Sequence, residues 1–339
     1  MRKIGTYFYA GLSVVVLLIS LYVYNLSRDY TDVKKNPLIG NTDDIIDKLS
    51  KQESKQEFSF GFISDTENND ASIWLFENLL KSEIAFLVIT GDFVNDAVES
   101  EYKLFLYTFE KINPKVPVFL VPSNHDLELS AKKEKYGKGD FENIFGPANF
   151  SFLYNGCLFI FISNIDQNDK EYCIYLEKLL SGRGPDIKKT FLFCPTPPRK
   201  VLNEVFPKSS QWTGDFDRII EQYKVNYVIS GDYHKHYELS SDVGVHYIVS
   251  GPGGSHFREK SLLGRIKSGT IMTVYPDHVT QQLLVCDKIV LTDNSIRHYI
   301  YKEILSKLSP KFGIINAIFA ILILNALFAM YKFIRSVSV

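Results

Sequence analysis

Three short polar strings in this sequence each follow an apolar stretch that is predicted to be a buried strand. They are Gly91-Asp92, Ser123-Asn124-His125-Asp126 and Gly231-Asp232-Tyr233-His234-Lys235-His236. Because the carboxyl ends of adjacent strands meet at one edge of an open α/β sheet, their side chains are expected to lie close together. Asp, Asn and His side chains gathered in this way are typical of sites that bind metal ions and use them on phosphate groups.

Two more carboxylates follow the first predicted strand. Asp65 and Glu67 are two residues apart, so on an extended chain their side chains point the same way. The same spacing puts Asp232, His234 and His236 in one row. Oxygen and imidazole donors mixed in this way suit manganese, iron or zinc better than calcium. Two such ions about 3.5–4 Å apart would bind phosphate oxygens, activate a water molecule and stabilise the leaving group.

One domain, residues 58–304, is predicted to position these residues. In its first half, apolar strands alternate with amphipathic helices, which predicts βαβ units and a sheet covered by helices. Its last part is predicted to contain short antiparallel strands without helices. The expected fold class is therefore α/β (α+β), with two packed sheets and helices outside. The predicted strands are Phe58–Ile63, Phe86–Ile89, Val118–Val121, Cys157–Ile162, Thr190–Phe193, Tyr227–Ile229, Tyr237–Leu239, His246–Val249, Thr270–Val274 and Gln282–Val285, and the predicted helices lie at about 73–80, 102–112, 170–180 and 219–223.

Both ends of the chain contain an uncharged apolar run. Residues 4–24 and 312–331 are each about twenty residues long, the length that crosses a hydrocarbon core of roughly 30 Å. A cleaved signal peptide is the alternative for the first run, but the run is longer than a usual signal core and no small-residue cleavage site follows it. A buried core helix is the alternative for the second run. We expect two transmembrane helices, with residues 25–57 as a polar tether that holds one short helix.

Two spans place both termini on one side of the membrane and the domain on the other. Arg2 and Lys3 before the first span, with Lys332 and Arg335 after the second, favour cytoplasmic termini. The central domain is then extracytoplasmic, that is, periplasmic, extracellular or luminal. Small residues in both spans permit close helix packing, either of the spans on each other or on an oligomeric or membrane partner.

Composition excludes several classes of function. The 339 residues carry a net charge of -1 and are 23% charged, which gives no basic surface for nucleic acid. The sequence contains no dinucleotide-binding fingerprint and no phosphate-binding Gly-Lys loop. A transporter is disfavoured because two spans without internal charges offer no pathway.

The order of the polar strings resembles the calcineurin-like metallophosphoesterase family. The family pattern is Asp-x-His, then Gly-Asp, Gly-Asn-His-Asp/Glu, a lone His before a proline, and Gly-His-x-His. The resemblance covers essentially the whole domain and includes the strand before each string. It implies a four-layer sandwich of two sheets between helices. It also implies hydrolysis of a phosphomonoester, a phosphodiester or a pyrophosphate.

The resemblance also implies roles for individual residues. Asp92 would bridge two metal ions, and His125 would sit over the phosphate as proton donor or transition-state stabiliser, oriented by Asp126. The remaining ligands divide between the ions. Asp65, Glu67 and His234 would complete the first site, whereas Asn124, Asp232 and a residue near Cys194 would complete the second. His236 is expected to face the substrate and is a further candidate donor.

Several positions depart from the family pattern. Glu67 and Asp232 stand where the family has histidine, and no histidine occurs between His125 and His234. The segment of the lone histidine is Phe193-Cys194-Pro195-Thr196-Pro197. Carboxylates in place of imidazoles shift the preference toward manganese or magnesium. We therefore expect one or two divalent ions among manganese, iron, zinc and magnesium, with manganese favoured.

Two functions are compatible with these departures. The first is a membrane-anchored metal-dependent phosphoesterase, whose location would suit a lipid-linked or glycan-linked phosphodiester or pyrophosphate. The second is a catalytically inactive member of the fold that serves as a scaffold in a membrane protein complex. Purple acid phosphatases carry a metal-binding tyrosine where this chain has Asn95, so that subgroup is not expected.

Overall fold

The computed structural model describes residues 33–52, 55–128, 135–163, 169–205, 214–257 and 266–286, with scattered positions in 11–25 and 318–328. The chain divides into two compact units. One unit is Lys35–Ser295, and the other consists of Met1–Lys34 with Ile296–Val339. All residues that were predicted to do chemistry lie in the first unit.

The described part of this unit alternates helices and strands before it becomes β-rich. The helices are α1 (Thr42–Ser50), α2 (Asp70–Lys81), α3 (Glu99–Ile112), α4 (Lys138–Phe145), α5 (Asp169–Ser181), α6 (Arg199–Val205) and α7 (Gly214–Gln222). The strands are β1 (Phe58–Ile63), β2 (Leu87–Thr90), β3 (Val118–Val121), β4 (Phe150–Tyr154), β5 (Cys157–Phe161), β6 (Lys189–Phe193), β7 (Tyr227–Ser230), β8 (Tyr237–Ser240), β9 (His246–Val249), β10 (Lys267–Val274) and β11 (Val279–Cys286).

The strands form two mixed sheets. The first sheet has the order β11-β10-β1-β2-β3, in which β1, β2 and β3 are parallel and β10 and β11 are antiparallel additions. The second sheet has the order β4-β5-β6-β7-β9-β8. In it, β5, β6, β7 and β9 are parallel, and β4 and β8 are antiparallel strands at the two edges. The carboxyl ends of β1, β2 and β3 therefore lie at one edge of the first sheet.

Aromatic side chains fill the space between the two sheets. Phe60 of β1 packs edge-on against Phe159 and Phe191 of the second sheet, with ring centroids 5.3 and 5.1 Å apart. The other faces of the sheets are covered by helices, since β1 and β6 bury alternate residues in different apolar clusters. The resulting order of layers is helix, sheet, sheet, helix, which confirms the predicted architecture of two packed sheets flanked by helices.

Some elements lie where none was predicted. Strand β4 pairs with β5 through a tight turn at Asn155-Gly156, whose two residues have φ of 50° and 76°. Such an Asn-Gly pair between two apolar runs is a strong hairpin signal. Helices α4 and α6 were also not predicted. They are short, so each presents too few apolar positions for a clear helical period.

Part of the segment that was predicted as a polar tether is packed against the domain. Ile39 pairs with Val118 at the edge of β3 and is fully buried. Helix α1 buries Ile45 and Leu49 in the cluster between the sheets. A few apolar residues in a polar segment are therefore enough to attach residues from Ile39 onward to the sheets.

The structure contains no helix, within the residues it describes, that is both long and apolar enough to span a bilayer. The runs 4–24 and 312–331, which were predicted to be transmembrane helices, fall largely outside those residues. The predicted end of the domain, residues 287–304, also lies outside them.

Candidate metal centre

The predicted site residues meet where strands of both sheets end. Asp65 follows β1 and Asp92 follows β2, whereas Asp232 and His234 follow β7 of the second sheet. All four have a left-handed backbone, with φ of 49°, 47°, 64° and 51° respectively. That conformation costs a non-glycine residue about 1–2 kcal/mol, and such strain often collects at functional sites. The chain turns sharply here and presents short polar side chains at the edge.

Three of these residues form a buried cluster of potential ligands. One donor atom from each of Asp65, Asp92 and His234 lies within 4.8 Å of the other two. The Nε2 of His234 is 3.6 Å from Oδ1 of Asp65. The three residues are 1%, 1% and 2% exposed, so neither carboxylate is solvated by bulk water.

The orientation of His234 directs one ring nitrogen toward the carboxylates. Its Nδ1 lies 2.6 Å from the carbonyl oxygen of His256. Because a carbonyl oxygen can only accept, Nδ1 carries the hydrogen and the Nε2 lone pair points toward the carboxylates. A backbone carbonyl that fixes the tautomer of a histidine in this way is common at metal sites.

Asp92 provides the observation that tests whether a cation fits. Its Oδ1 accepts a hydrogen bond from the Ser123 hydroxyl, whereas its buried Oδ2 has no hydrogen-bond partner among the described residues. Burial raises the pKa of Asp92 to about 6, and Asp232 and Glu67 also raise it. A buried carboxylate oxygen without a partner costs free energy. A divalent cation would remove that cost, so the donor set fits a metal ion.

Asp65 is held from two directions. Ser64 Oγ donates to Oδ2 at 2.5 Å, and the backbone N–H of Asp232 donates to Oδ1 and Oδ2 at 2.9 and 3.1 Å. Burial raises the pKa of Asp65 well above its usual range, and Asp92 raises it further. Proton release from both buried carboxyls is therefore coupled to whatever cation neutralises them.

His125 lies beside this cluster, and its ring is held by the chain. Its Nδ1 donates to the carbonyl oxygen of Asn95 at 2.8 Å. Burial alone lowers the pKa of His125, but Asp92 and the Asn95 carbonyl outweigh this and raise it above its usual value. The neighbouring carboxylates therefore stabilise the protonated form of His125 relative to an isolated imidazole.

Asp126 contacts backbone groups of two loops. Its Oδ1 accepts the backbone N–H groups of Phe93 and Val94 at 2.9 and 3.1 Å, and its Oδ2 accepts that of Ser123 at 2.9 Å. The carboxylate therefore ties the loop after β2 to the loop after β3. The His125 ring contacts the Asn95 carbonyl, whereas the Asp126 carboxylate accepts backbone N–H groups.

Glu67, Asp232 and Asn124 lie around the cluster without joining it. Glu67 and Asp232 raise the pKa values of Asp92 and His125, which places their charges nearby. Among the described residues, neither has a donor atom that lies within 4.8 Å of all three clustered donor atoms. Asn124 follows β3 at the same edge, and its side chain is exposed.

Cys194 points away from the site. Along β6, Phe191 and Phe193 face the space between the sheets, whereas Cys194 packs in the cluster beneath α6 and α7. Burial, reinforced by Asp217, raises the pKa of its thiol strongly, so a thiolate is disfavoured. The next residue, Pro195, packs beside Gly91, where an added Cβ would lie 3.0 Å from the Pro195 Cβ. Cys194 therefore does not belong with the metal donors.

His236 is held outside the cluster as well. Its Nε2 lies 2.9 Å from Oε1 of Glu238, and Gln281 donates to the other oxygen of Glu238 at 2.6 Å. These contacts connect β8 of the second sheet to β11 of the first. The structure thus gives His236 a carboxylate partner at the sheet edges.

Four residues of the centre were not predicted as such. Ser64 and Ser123 donate to the two buried carboxylates, and Asn95 and His256 contribute backbone carbonyls. The replacement of a family glycine by Ser123 was a signal that could have been used. The carbonyl groups have no sequence signal, since every residue has one.

Comparisons with known proteins agree with this arrangement. A family profile described as calcineurin-like phosphoesterase matches residues 58–236. A protein of Arcobacter nitrofigilis, named as probable glycerophosphodiester phosphodiesterase GpdQ, is 32% identical over 133 residues, which are 37% of this chain and 46% of that protein. The match thus spans less than half of the relative's length. The structure of purple acid phosphatase PPD1 from yellow lupin superposes with a TM-score of 0.53 at 14% identity, over 71% of this chain and 53% of that one. At that identity the likeness concerns the fold alone.

Proposed function

Because this chain belongs to the calcineurin-like phosphoesterase family, we propose that it is a metal-dependent hydrolase that acts on a phosphodiester. The observation that carries the proposal is the buried cluster of Asp65, Asp92 and His234, in which Asp92 Oδ2 has no hydrogen-bond partner among the described residues. The similarity to a protein named as a probable phosphodiesterase supports a phosphodiester ahead of a phosphomonoester or a pyrophosphate.

The three clustered residues would hold a divalent cation, for which their two carboxylates favour manganese or magnesium. When bound, the cation supplies Lewis-acid stabilisation of the negative charge on the phosphate oxygens. The chain positions these ligands before any substrate arrives. Ser64 and the Asp232 amide fix Asp65, Ser123 fixes Asp92, and the His256 carbonyl fixes His234. Fixed donors need little reorganisation during the reaction.

His125 is the proton donor in this proposal. The Asn95 carbonyl accepts its Nδ1–H, so Nε2 is the nitrogen that exchanges a proton with the substrate. The raised pKa of His125 increases the protonated fraction near neutral pH. Nε2–H then donates to the ester oxygen that departs, which prevents the build-up of charge on it.

The direct test is hydrolysis by full-length protein that has been stripped with a chelator. Wild-type protein is expected to cleave bis-p-nitrophenyl phosphate after manganese is restored and not before. His125→Ala should lower kcat by about 100-fold or more, with bound manganese unchanged. If no phosphodiester, phosphomonoester or pyrophosphate is cleaved with any divalent metal, the alternative holds. The protein is then a catalytically inactive scaffold, for which Glu67 and Asp232 in place of histidines are the supporting observation.

Membrane anchoring is a second part of the proposal. Its support is the length and apolar character of residues 4–24 and 312–331. Several described apolar side chains in these runs are exposed, including Leu18 at 61% and Leu324 at 65%, as expected of groups that contact lipid. An extracytoplasmic domain at the bilayer surface would suit a lipid-linked or glycan-linked substrate.

Anchoring and orientation are tested separately from catalysis. The chain should stay in the membrane fraction after alkaline carbonate extraction. In sealed vesicles of cytoplasmic-side-in orientation, externally added protease should remove the domain. Release by carbonate would contradict anchoring, and protection of the domain would place it in the cytoplasm.

A further inference from the structure

We infer that the centre binds a single divalent cation, at Asp65, Asp92 and His234, in place of the two ions that the family pattern implies. This inference rests on the proposed function and concerns the metal content of the same site. Four features of the described residues carry it.

The first feature is the composition of the buried cluster. Three donors converge within 4.8 Å, which is enough to hold one ion with room left for water or phosphate oxygens. Glu67 and Asp232 are the carboxylates that replace two family histidines. Among the described residues, neither has a donor atom within 4.8 Å of all three clustered donor atoms. These two carboxylates therefore add negative charge around the cluster of Asp65, Asp92 and His234. In the described part of the chain, they do not form a second cluster of donor atoms that could hold another ion.

The second feature is the hydrogen bonding of Asp92. A bridging carboxylate must direct electron pairs at two ions. The Oδ1 of Asp92 is engaged by the Ser123 hydroxyl, and Ser123 Oγ in turn accepts the Asp92 N–H at 3.1 Å. This closed contact orients the carboxylate so that Oδ2 is the oxygen without a hydrogen-bond partner in the described structure. Oδ1 thus shares its electron pairs with a hydroxyl donor, and Oδ2 is the oxygen that no hydrogen-bond donor among the described residues contacts.

The third feature is the residue at the position of the missing imidazole. Pro195 follows Cys194 after β6 and packs beside Gly91, and its side chain has no donor atom. A Cβ on Gly91 would lie 3.0 Å from the Pro195 Cβ and 2.9 Å from the Ser123 Cβ. Pro195 and Ser123 therefore pack closely beside Gly91, and neither supplies an imidazole there.

The fourth feature is Asn124. Its side chain is exposed and is the neutral donor that remains for a second ion. A single neutral amide oxygen brings no negative charge to offset that of a divalent cation. We assign it instead to the substrate, where its amide hydrogens can donate to a phosphate oxygen next to His125.

Metal stoichiometry tests this inference on the full-length chain. Protein stripped with a chelator is titrated with manganese alone, and bound metal is counted by elemental analysis after gel filtration. We expect one equivalent per chain, with the electron paramagnetic resonance spectrum of an isolated manganese ion. Two equivalents with the spectrum of an exchange-coupled pair would overturn the single-cation inference and leave the proposed hydrolase standing. Failure to bind manganese or any other divalent cation would overturn both.

Three variants locate the ion. Asp92→Asn should lower the manganese affinity by about 100-fold or more, whereas Asn124→Ala should keep one equivalent with unchanged affinity. Cys194→Ala is the matched control, because the thiol lies on the helix side of β6, and it should also bind one equivalent. Loss of bound manganese in Asn124→Ala or Cys194→Ala would contradict the assignment.

Discussion

The backbone N–H of Asp232 donates hydrogen bonds to both carboxylate oxygens of Asp65, at 2.9 and 3.1 Å. Asp65 follows β1 of the first sheet, and Asp232 follows β7 of the second. The two sheets are therefore joined at the metal centre itself. His234 follows directly on the same turn, so the ligand cluster exists only when the sheets are packed together.

Gly231 makes this junction sterically feasible. A Cβ at this position would lie 2.6 Å from Ser64 Cβ and 2.8 Å from Asp65 Oδ2, closer than side chains tolerate. We predict that Gly231→Ala destabilises the protein by about 1–3 kcal/mol and displaces Asp65 from the cluster. Urea unfolding and manganese titration measure the two effects.

A second glycine provides the control for this prediction. A Cβ at Gly139 of helix α4 meets no atom within 4 Å. Gly139→Ala should therefore leave manganese binding unchanged and stabilise the helix by about 0.5–1 kcal/mol. If Gly231→Ala bound manganese as tightly as wild type does, the proposed junction would not be needed for the site.

Asp126 is predicted to act on stability. Its buried carboxylate accepts three backbone N–H groups, which Asp126→Ala would leave unsatisfied. Hydrogen bonds to charged groups contribute about 1.5–3 kcal/mol each, so we expect a loss of about 3 kcal/mol or more in the free energy of unfolding.

Asp140 is the matched control, since its carboxylate accepts a single exposed N–H, that of Gly137. Asp140→Ala should cost about 1 kcal/mol. Equal losses for the two variants in urea unfolding would show that Asp126 does not brace the loops.

The stability of the metal-free protein should fall as the pH rises. The pKa of Asp92 is raised by burial from 3.8 to about 6, so the folded state holds this proton more tightly than the unfolded state does. A group of this kind contributes stability below pH 3.8 that is lost as the pH rises through about 6. The change corresponds to roughly 3 kcal/mol.

Asp92→Asn removes this titration. The metal-free variant should therefore be more stable than metal-free wild type at pH 8 and similar to it at pH 4, as measured by thermal unfolding in a chelator. Manganese at pH 8 should raise the Tm of wild type much more than that of the variant. Equal Tm values for metal-free wild type and metal-free Asp92→Asn at pH 8 would contradict the free-energy cost assigned to the buried carboxylate.

Much of the fold was predictable because strands that are buried on both faces are continuous apolar runs. β1, β3 and β9 occur at the predicted residues, and the polar strings do lie at strand ends. The site was harder to predict in two respects. Whether Cys194 belongs to the metal donors depends on the direction in which its side chain points after β6, and the sequence does not give that direction. The orientation of His125 and His234 depends on the carbonyl groups of Asn95 and His256.

Metal-dependent hydrolysis at Asp92 is tested by measuring the rate of bis-p-nitrophenyl phosphate hydrolysis as a function of manganese concentration. The rates of wild type and of Asp92→Asn are compared. We expect manganese to activate wild type in a saturable manner and the rate of the variant to be at least about 100-fold lower. Urea unfolding should show that both proteins are folded. Hydrolysis by Asp92→Asn at the wild-type rate, or hydrolysis by wild type that neither manganese nor a chelator changes, would contradict metal-dependent hydrolysis at Asp92.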